Sequence, residues 1–129
     1  SICDGGIIVR KNMLPAKQIE SAKTLASNFQ TDAIRIETAD NVGFYIYCSS
    51  VTDNTGTFAA EVRPYKDDNT LGEDWIPLTL STTPTLNNAD DDFFVSLNQL
   101  PNCQVRLSFS AAGTTPDGTC NIWISATGA

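Results

Sequence analysis

From Thr31 onward, apolar and polar positions alternate in short runs separated by turn-forming clusters, the pattern of strands with one buried and one wet face. Cys103, Val105, Leu107 and Phe109 alternate with Gln104, Arg106, Ser108 and Ser110, and Cys120, Ile122 and Ile124 alternate with Asn121, Trp123 and Ser125. Between these runs, Pro116 presets φ, Asp117 offers a side-chain acceptor and Gly118 tolerates positive φ. The pattern predicts a hairpin over Pro101–Ala126 that turns at Thr115–Gly118. Upstream, Ile34 and Ile36 share a face, Asp40-Asn41-Val42-Gly43 predicts a turn, and Phe44, Ile46 and Cys48 share the next inward face. Phe58, Ala60 and Val62 follow, with Pro64 ending that strand or placing it at an edge. Trp75–Leu78 and a strand through Phe93, Val95 and Leu97 complete a set of about seven short strands. Such a set predicts an all-β fold, an antiparallel β-sandwich of jelly-roll-like form.

Residues 1–31 differ from this body. Pro15, Ile19, Ala22, Leu25, Ala26 and Phe29 roughly follow helical spacing, while Ser21, Thr24, Ser27 and Asn28 are indifferent helix formers. A short helix and an extended arm are both compatible with the segment, which lacks the two-sided pattern of a core strand. The expected organisation is an N-terminal arm over 1–31 and a β-sandwich domain over 32–129. Deleting residues 1–30 is then expected to leave a folded sandwich that no longer assembles.

Charge sharpens the division. Residues 1–31 carry four basic and two acidic side chains, a balance of +2, whereas 32–129 carry four basic and thirteen acidic, a balance of −9. A body this acidic repels phosphate backbones, so nucleic acid is not an expected partner. No run reaches the length of a membrane-spanning helix, and no membrane association is expected. Ser1-Ile2-Cys3-Asp4 does not open like a secretory leader, which suits a protein assembled in a cytoplasm. Cys3, Cys48, Cys103 and Cys120 form no Cys-x-x-Cys pair, and three lie in apolar strand patterns, so buried thiols are expected rather than disulfides.

Candidate chemistry is sparse. Histidine is absent, which removes the commonest general base and metal ligand and any Ser-His or Cys-His nucleophile. No phosphate-cradling Gly-x-x-x-x-Gly-Lys loop occurs. Asp67-x-Asn69-x-Leu71-Gly72 begins like a calcium loop, but Leu71 takes a ligand position and Leu78 stands where a bidentate Glu is required. The carboxylate clusters Asp67-Asp68, Glu73-Asp74 and Asp90-Asp91-Asp92 read as solvated loops, with an irregular calcium site at the last as the alternative. No catalytic residue, metal ligand or cofactor site is assigned. Tyr45 and Tyr47 lie opposite Phe44 and Ile46, and Trp123 lies opposite Ile122 and Ile124. An aromatic stripe is thus either exposed, as a stacking or docking surface, or covered by loops or the N-terminal segment; cover is the expectation.

The order of Thr31-Asp32-Ala33-Ile34-Arg35-Ile36, Gly43-Phe44-Tyr45-Ile46 and Gly56-Thr57-Phe58-Ala59-Ala60-Glu61-Val62 resembles small β-sandwich virion proteins of tailed bacteriophages. The resemblance continues through Trp75-Ile76-Pro77-Leu78, Val105-Arg106-Leu107-Ser108-Phe109 and Gly118-Thr119-Cys120-Asn121-Ile122-Trp123-Ile124. It implies a non-enzymatic structural protein of the virion, assembled in the host cytoplasm. A capsid decoration (cement) protein reinforcing contacts between major capsid subunits is the leading role, and a neck or tail accessory protein the second. The implied partners are the major capsid protein or other virion proteins, with further copies of the chain on the particle. A carbohydrate-binding module using Tyr45, Tyr47, Tyr65 or Trp123 is the alternative from another class. The partner-binding residues expected are Ile7, Ile8, Val9, Arg10, Lys11, Leu14, Lys17 and Ile19 of the arm, with Tyr45, Tyr47 and Trp123 of the body.

Overall fold

Nine strands arranged in two antiparallel sheets build the protein, as seen in a computed structural model that describes residues 14–37 and 39–127. They are β1 (Leu14–Thr24), β2 (Phe29–Gln30), β3 (Ile34–Ile36), β4 (Ala39–Ser49), β5 (Thr57–Pro64), β6 (Ile76–Pro77), β7 (Asp91–Leu100), β8 (Cys103–Ser110) and β9 (Thr119–Thr127). One sheet has the order β1-β9-β4-β7; the other has β2-β8-β5-β6, with β3 also paired to β8. Apart from β5 and β6, successive strands either alternate between the sheets or, as with β2 and β3, share one partner. That strand order is a jelly roll, in which two sheets face each other and the chain crosses repeatedly between them.

The inward faces are those read from the alternation. Phe44, Ile46, Cys48, Phe58, Ala60, Val105, Leu107, Phe109, Ile122 and Ile124 are all buried. Phe109 anchors an aromatic knot, with ring centroids 4.6 Å from Phe58 and 5.6 Å from Phe29. Cys48 and Cys120 are register partners on β4 and β9, and with Cys103 they are buried and free. Burial pushes the Cys48 and Cys120 thiols up to about 12. They stay protonated at neutral pH, which withholds the thiolate that disulfide exchange requires.

Three expectations are corrected. Pro101–Ala126 is not a hairpin: β8 pairs with β5, β2 and β3, whereas β9 pairs with β1 and β4 in the opposite sheet. The connection from Ala111 to Gly118 is long enough to cross the roughly 10 Å between packed sheets, so nothing obliges its flanking strands to pair. Second, Asp40–Gly43 lies within β4, paired on both sides from Asn41 onward, instead of forming a turn. Gly43 is there for space: a Cβ would sit 2.6 Å from Cζ of Phe94, whose ring lies over it. Third, residues 14–31 are neither a helix nor separate from the sandwich. β1 pairs with β9, β2 pairs with β8, and Leu25, Phe29 and Thr31 are buried. The helical spacing misled because β1 contains three register shifts and a positive φ at Ala22, which break the two-residue period. Residues 1–13 lie outside the described part.

One end of the sandwich is closed by loops that share side-chain hydrogen bonds. Asn54 is fully buried, and its Nδ2 donates to the carbonyls of Leu25 (2.8 Å) and Asp117 (3.0 Å). Its Oδ1 accepts from the Gly56 N–H at 2.9 Å. The Asp117 carboxylate accepts from the N–H groups of Thr52 (2.9 Å) and Asp53 (3.0 Å) and from the Thr52 hydroxyl. The Thr52 hydroxyl above all, with those N–H groups, holds the Asp117 carboxyl below its ordinary range. A depressed folded-state pKa stabilises above the unfolded value of about 3.9 and loses that contribution as pH falls through the folded one. Asp117→Asn should therefore melt below the parent at pH 7, and the gap should narrow as both are titrated below about pH 3.9. Thermal melts from pH 7 to pH 2 check this; a gap of constant size would show that the carboxylate is not the cause.

Candidate interaction surface

The outer faces of the two sheets are treated differently. On the β8–β5 sheet, Arg106 pairs with Glu61 at 2.8 Å and its guanidinium lies 4.0 Å from the Trp75 ring centre. Arg35 stacks 4.3 Å from the Tyr65 ring centre, and Arg63 donates to the carbonyl of Gly72 at 2.6 Å. The aromatic groups on this side are engaged by arginine, and Tyr65 is thereby removed from the set of free stacking groups.

The outer face of the β1-β9-β4-β7 sheet carries an open row of aromatic rings. Register places Trp123 on β9 beside Tyr45 on β4, and Tyr45 beside Phe94 on β7. The Tyr45 and Trp123 rings are 5.6 Å apart and tilted by 31°, a contact distance at which each fixes the other. Tyr45 is 38% exposed, Tyr47 43% and Phe94 65%. The expected cover over the stripe is corrected for the described residues: Tyr45, Tyr47 and Phe94 are exposed among them, and Trp123 is half-buried. The physical reason is that Leu14–Thr24, part of the segment expected to provide cover, is itself an edge strand of the same sheet.

Polar groups frame the row. The Tyr45 hydroxyl donates to Oδ2 of Asp92 at 3.0 Å, and this hydrogen bond to a carboxylate raises the Tyr45 pKa. Gln18, the register partner of Trp123, donates through Nε2 to Oδ1 of Asn121 at 3.2 Å. Asn121 and Asp92 flank Tyr47 on either side. Asn41 donates to Ser96 Oγ at 2.7 Å and to Asn98 Oδ1 at 2.9 Å farther along the face. The surface is an aromatic strip with amide and carboxylate margins, suited to stacking and to docking.

The expected binding residues thus divide. Tyr45, Tyr47 and Trp123 come together on this face. Lys17 and Ile19 of β1 instead line a groove of about 470 Å³ between β1 and the segment 32–35, with Ile34 and Ile124 among its walls. Leu14 begins β1, and Ile7, Ile8, Val9, Arg10 and Lys11 lie outside the described residues. Phe94, the most exposed of the large rings, was missed. Its signal was present, since it occupies the outward phase between Phe93 and Val95. The Asp90–Asp92 run is spread out: Asp90 accepts from the Val51 N–H, Asp91 from the Asp92 N–H, and Asp92 from Tyr45. Among the described residues, no three His, Cys, Asp or Glu side chains are grouped to hold a metal ion.

No family model and no curated protein matches this chain. Among solved structures, it is similar to a chain in the structure of infectious bursal disease virus, Gx strain, with a TM-score of 0.52 at 10% identity. That similarity covers 98% of this chain and 36% of the viral one, so the chain spans about a third of the length of its structural neighbour. At this identity the likeness concerns the fold.

Proposed function

We propose that this chain is a non-enzymatic structural protein of a virus particle, acting as a decoration (cement) protein that reinforces joints between major capsid subunits. The observation that carries the reading is the open row Trp123–Tyr45–Phe94 on one sheet face, set against a second face whose aromatics are engaged by arginine. Aromatic rings on a stiff sheet lose little conformational freedom on docking and supply much of the affinity of protein interfaces. A jelly roll shared with a chain from a virus structure supports the same reading. Weak contacts by each copy sum over the symmetric positions of a particle, so a broad surface serves better than a pocket.

Co-sedimentation with particles lacking the protein tests the role. The parent chain should pellet with them, and Trp123→Ala combined with Phe94→Ala should weaken binding by about tenfold or more while leaving the fold intact. A parent chain that remains in the supernatant would sink the proposal.

A second reading has its own observation. The amide and carboxylate groups of Gln18, Asn121 and Asp92 beside the rings offer the planar hydrogen-bonding partners that sugar hydroxyls use. Binding to a glycan array that disappears in Trp123→Ala would favour a carbohydrate-binding role.

A further inference from the structure

The two edges of the aromatic sheet are built in opposite ways. β1 is a blunted edge, with three register shifts, a positive φ at Ala22, and Lys17 and Lys23 along it. Such irregularities and charges keep an edge from pairing with another chain. β7 has no register shift; its positive φ falls at Gln99, next to its end, and its charges, Asp91 and Asp92, at its start. It follows β4 in unbroken register from Cys48↔Asp91 to Asn41↔Asn98, and contains no proline. Among the described residues it pairs with β4 alone, so its other side presents a row of backbone donors and acceptors. A long edge in regular register is the feature to which an extended segment adds as a strand.

The surroundings of β7 select the segment. Two grooves of about 320 and 370 Å³ run between the strand and residues 78–85, and their walls include Leu78, Leu80 and Phe93. They offer room for apolar side chains on one face of an added strand. Asp91 and Asp92 open β7 and are exposed, and residues 14–129 as a whole carry six basic and fourteen acidic groups. The complementary stretch of this chain is residues 7–11, Ile7-Ile8-Val9-Arg10-Lys11, which joins β-prone apolar residues to two adjacent cations. These residues precede Leu14, the start of β1, and β1 and β7 are opposite edges of one sheet. Register sets Leu14 level with Leu97, through Ala126 and Val42, so a neighbouring copy offset along the strand direction brings its residues 7–11 beside Asp91 and Asp92.

We infer that the free edge of β7 receives residues 7–11 of a neighbouring copy as an added strand, with Arg10 and Lys11 answering Asp91 and Asp92. This deepens the structural role proposed above and rests on it. The contact is head-to-tail, so it closes into a ring or extends along a surface.

Charge reversal tests it in the full-length chain, read by sedimentation velocity over a wide concentration range at low salt. The parent protein should self-associate. Arg10→Glu with Lys11→Glu, and separately Asp91→Lys with Asp92→Lys, should each weaken association by about tenfold or more. An equimolar mixture of the two variants should restore it, because each arm then meets an edge of opposite charge. Asp90 is left unchanged because it accepts the Val51 N–H at 2.8 Å. If the lysine pair fails to fold, Asp91→Asn with Asp92→Asn replaces it, again with weakened association expected. A monomeric parent, a reversed variant that associates as the parent does, or a mixture that restores nothing would each overturn the inference. The last result would place the segment on its own molecule. Self-association with these properties in a protein that fails to pellet with particles would instead remove the capsid role and leave the edge contact standing.

Discussion

Replacing Asn54 with leucine should lower the thermal midpoint by roughly 10 °C or more, the largest expected effect of any polar substitution in the molecule. The side chain is fully buried and joins three separate parts of the chain: the carbonyl of Leu25 after β1, the Gly56 N–H before β5 and the Asp117 carbonyl before β9. Leucine has a similar size but neither donates nor accepts, so three backbone groups lose their partners together. Each buried polar group left unsatisfied costs about 1–3 kcal/mol, and a folded domain has only about 5–15 kcal/mol in hand. Asn54→Asp is the informative companion. It keeps the acceptor for Gly56 but turns the donor toward Leu25 and Asp117 into a second acceptor, so it should be destabilised too. Calorimetry of the three proteins checks this, and a leucine variant that melts within a degree or two of the parent would contradict it.

Deletion of residues 1–30 should abolish folding. This reverses the expectation from sequence that the sandwich survives without its N-terminal segment. The deletion removes all of β1 and β2, leaving β9 without the neighbour that covers one side of it. It also removes Leu25, fully buried, and Phe29, whose ring packs 5.6 Å from Phe109 and 6.5 Å from Phe58. Emptying a buried leucine site costs about 2–5 kcal/mol and a phenylalanine site about 3–5 kcal/mol. Those two losses already approach the whole stability of a small domain. Far-UV circular dichroism and solubility of the truncated chain check the outcome. The point variants Leu25→Ala and Phe29→Ala should fold but melt lower, showing that the loss lies in the core. A soluble, cooperatively melting truncation would restore the older view of a separable arm.

The alternation of apolar and polar residues determined which side chains of β3, β4, β5, β7, β8 and β9 face inward, because burial of one face of a strand is a local property with a period of two. Phe44, Phe58, Leu107 and Ile122 needed no knowledge of their neighbours to be placed in the core. The absence of histidine was equally legible in the sequence, and so were Tyr45, Tyr47 and Trp123 on the outward phase. Pairing was not legible. Backbone hydrogen bonds are made by groups that every residue carries, so the pattern of β8 and β9 fits partners in one sheet as well as partners in two. Only the tertiary structure placed β8 and β9 in opposite sheets and set Cys48 beside Cys120. It also brought Trp123, Tyr45 and Phe94 into one row from strands far apart in sequence. β1 was hidden for a related reason: its bulges erase the period that marks a strand, and its place is held by pairing with β9 and by the burial of Leu25 just beyond it.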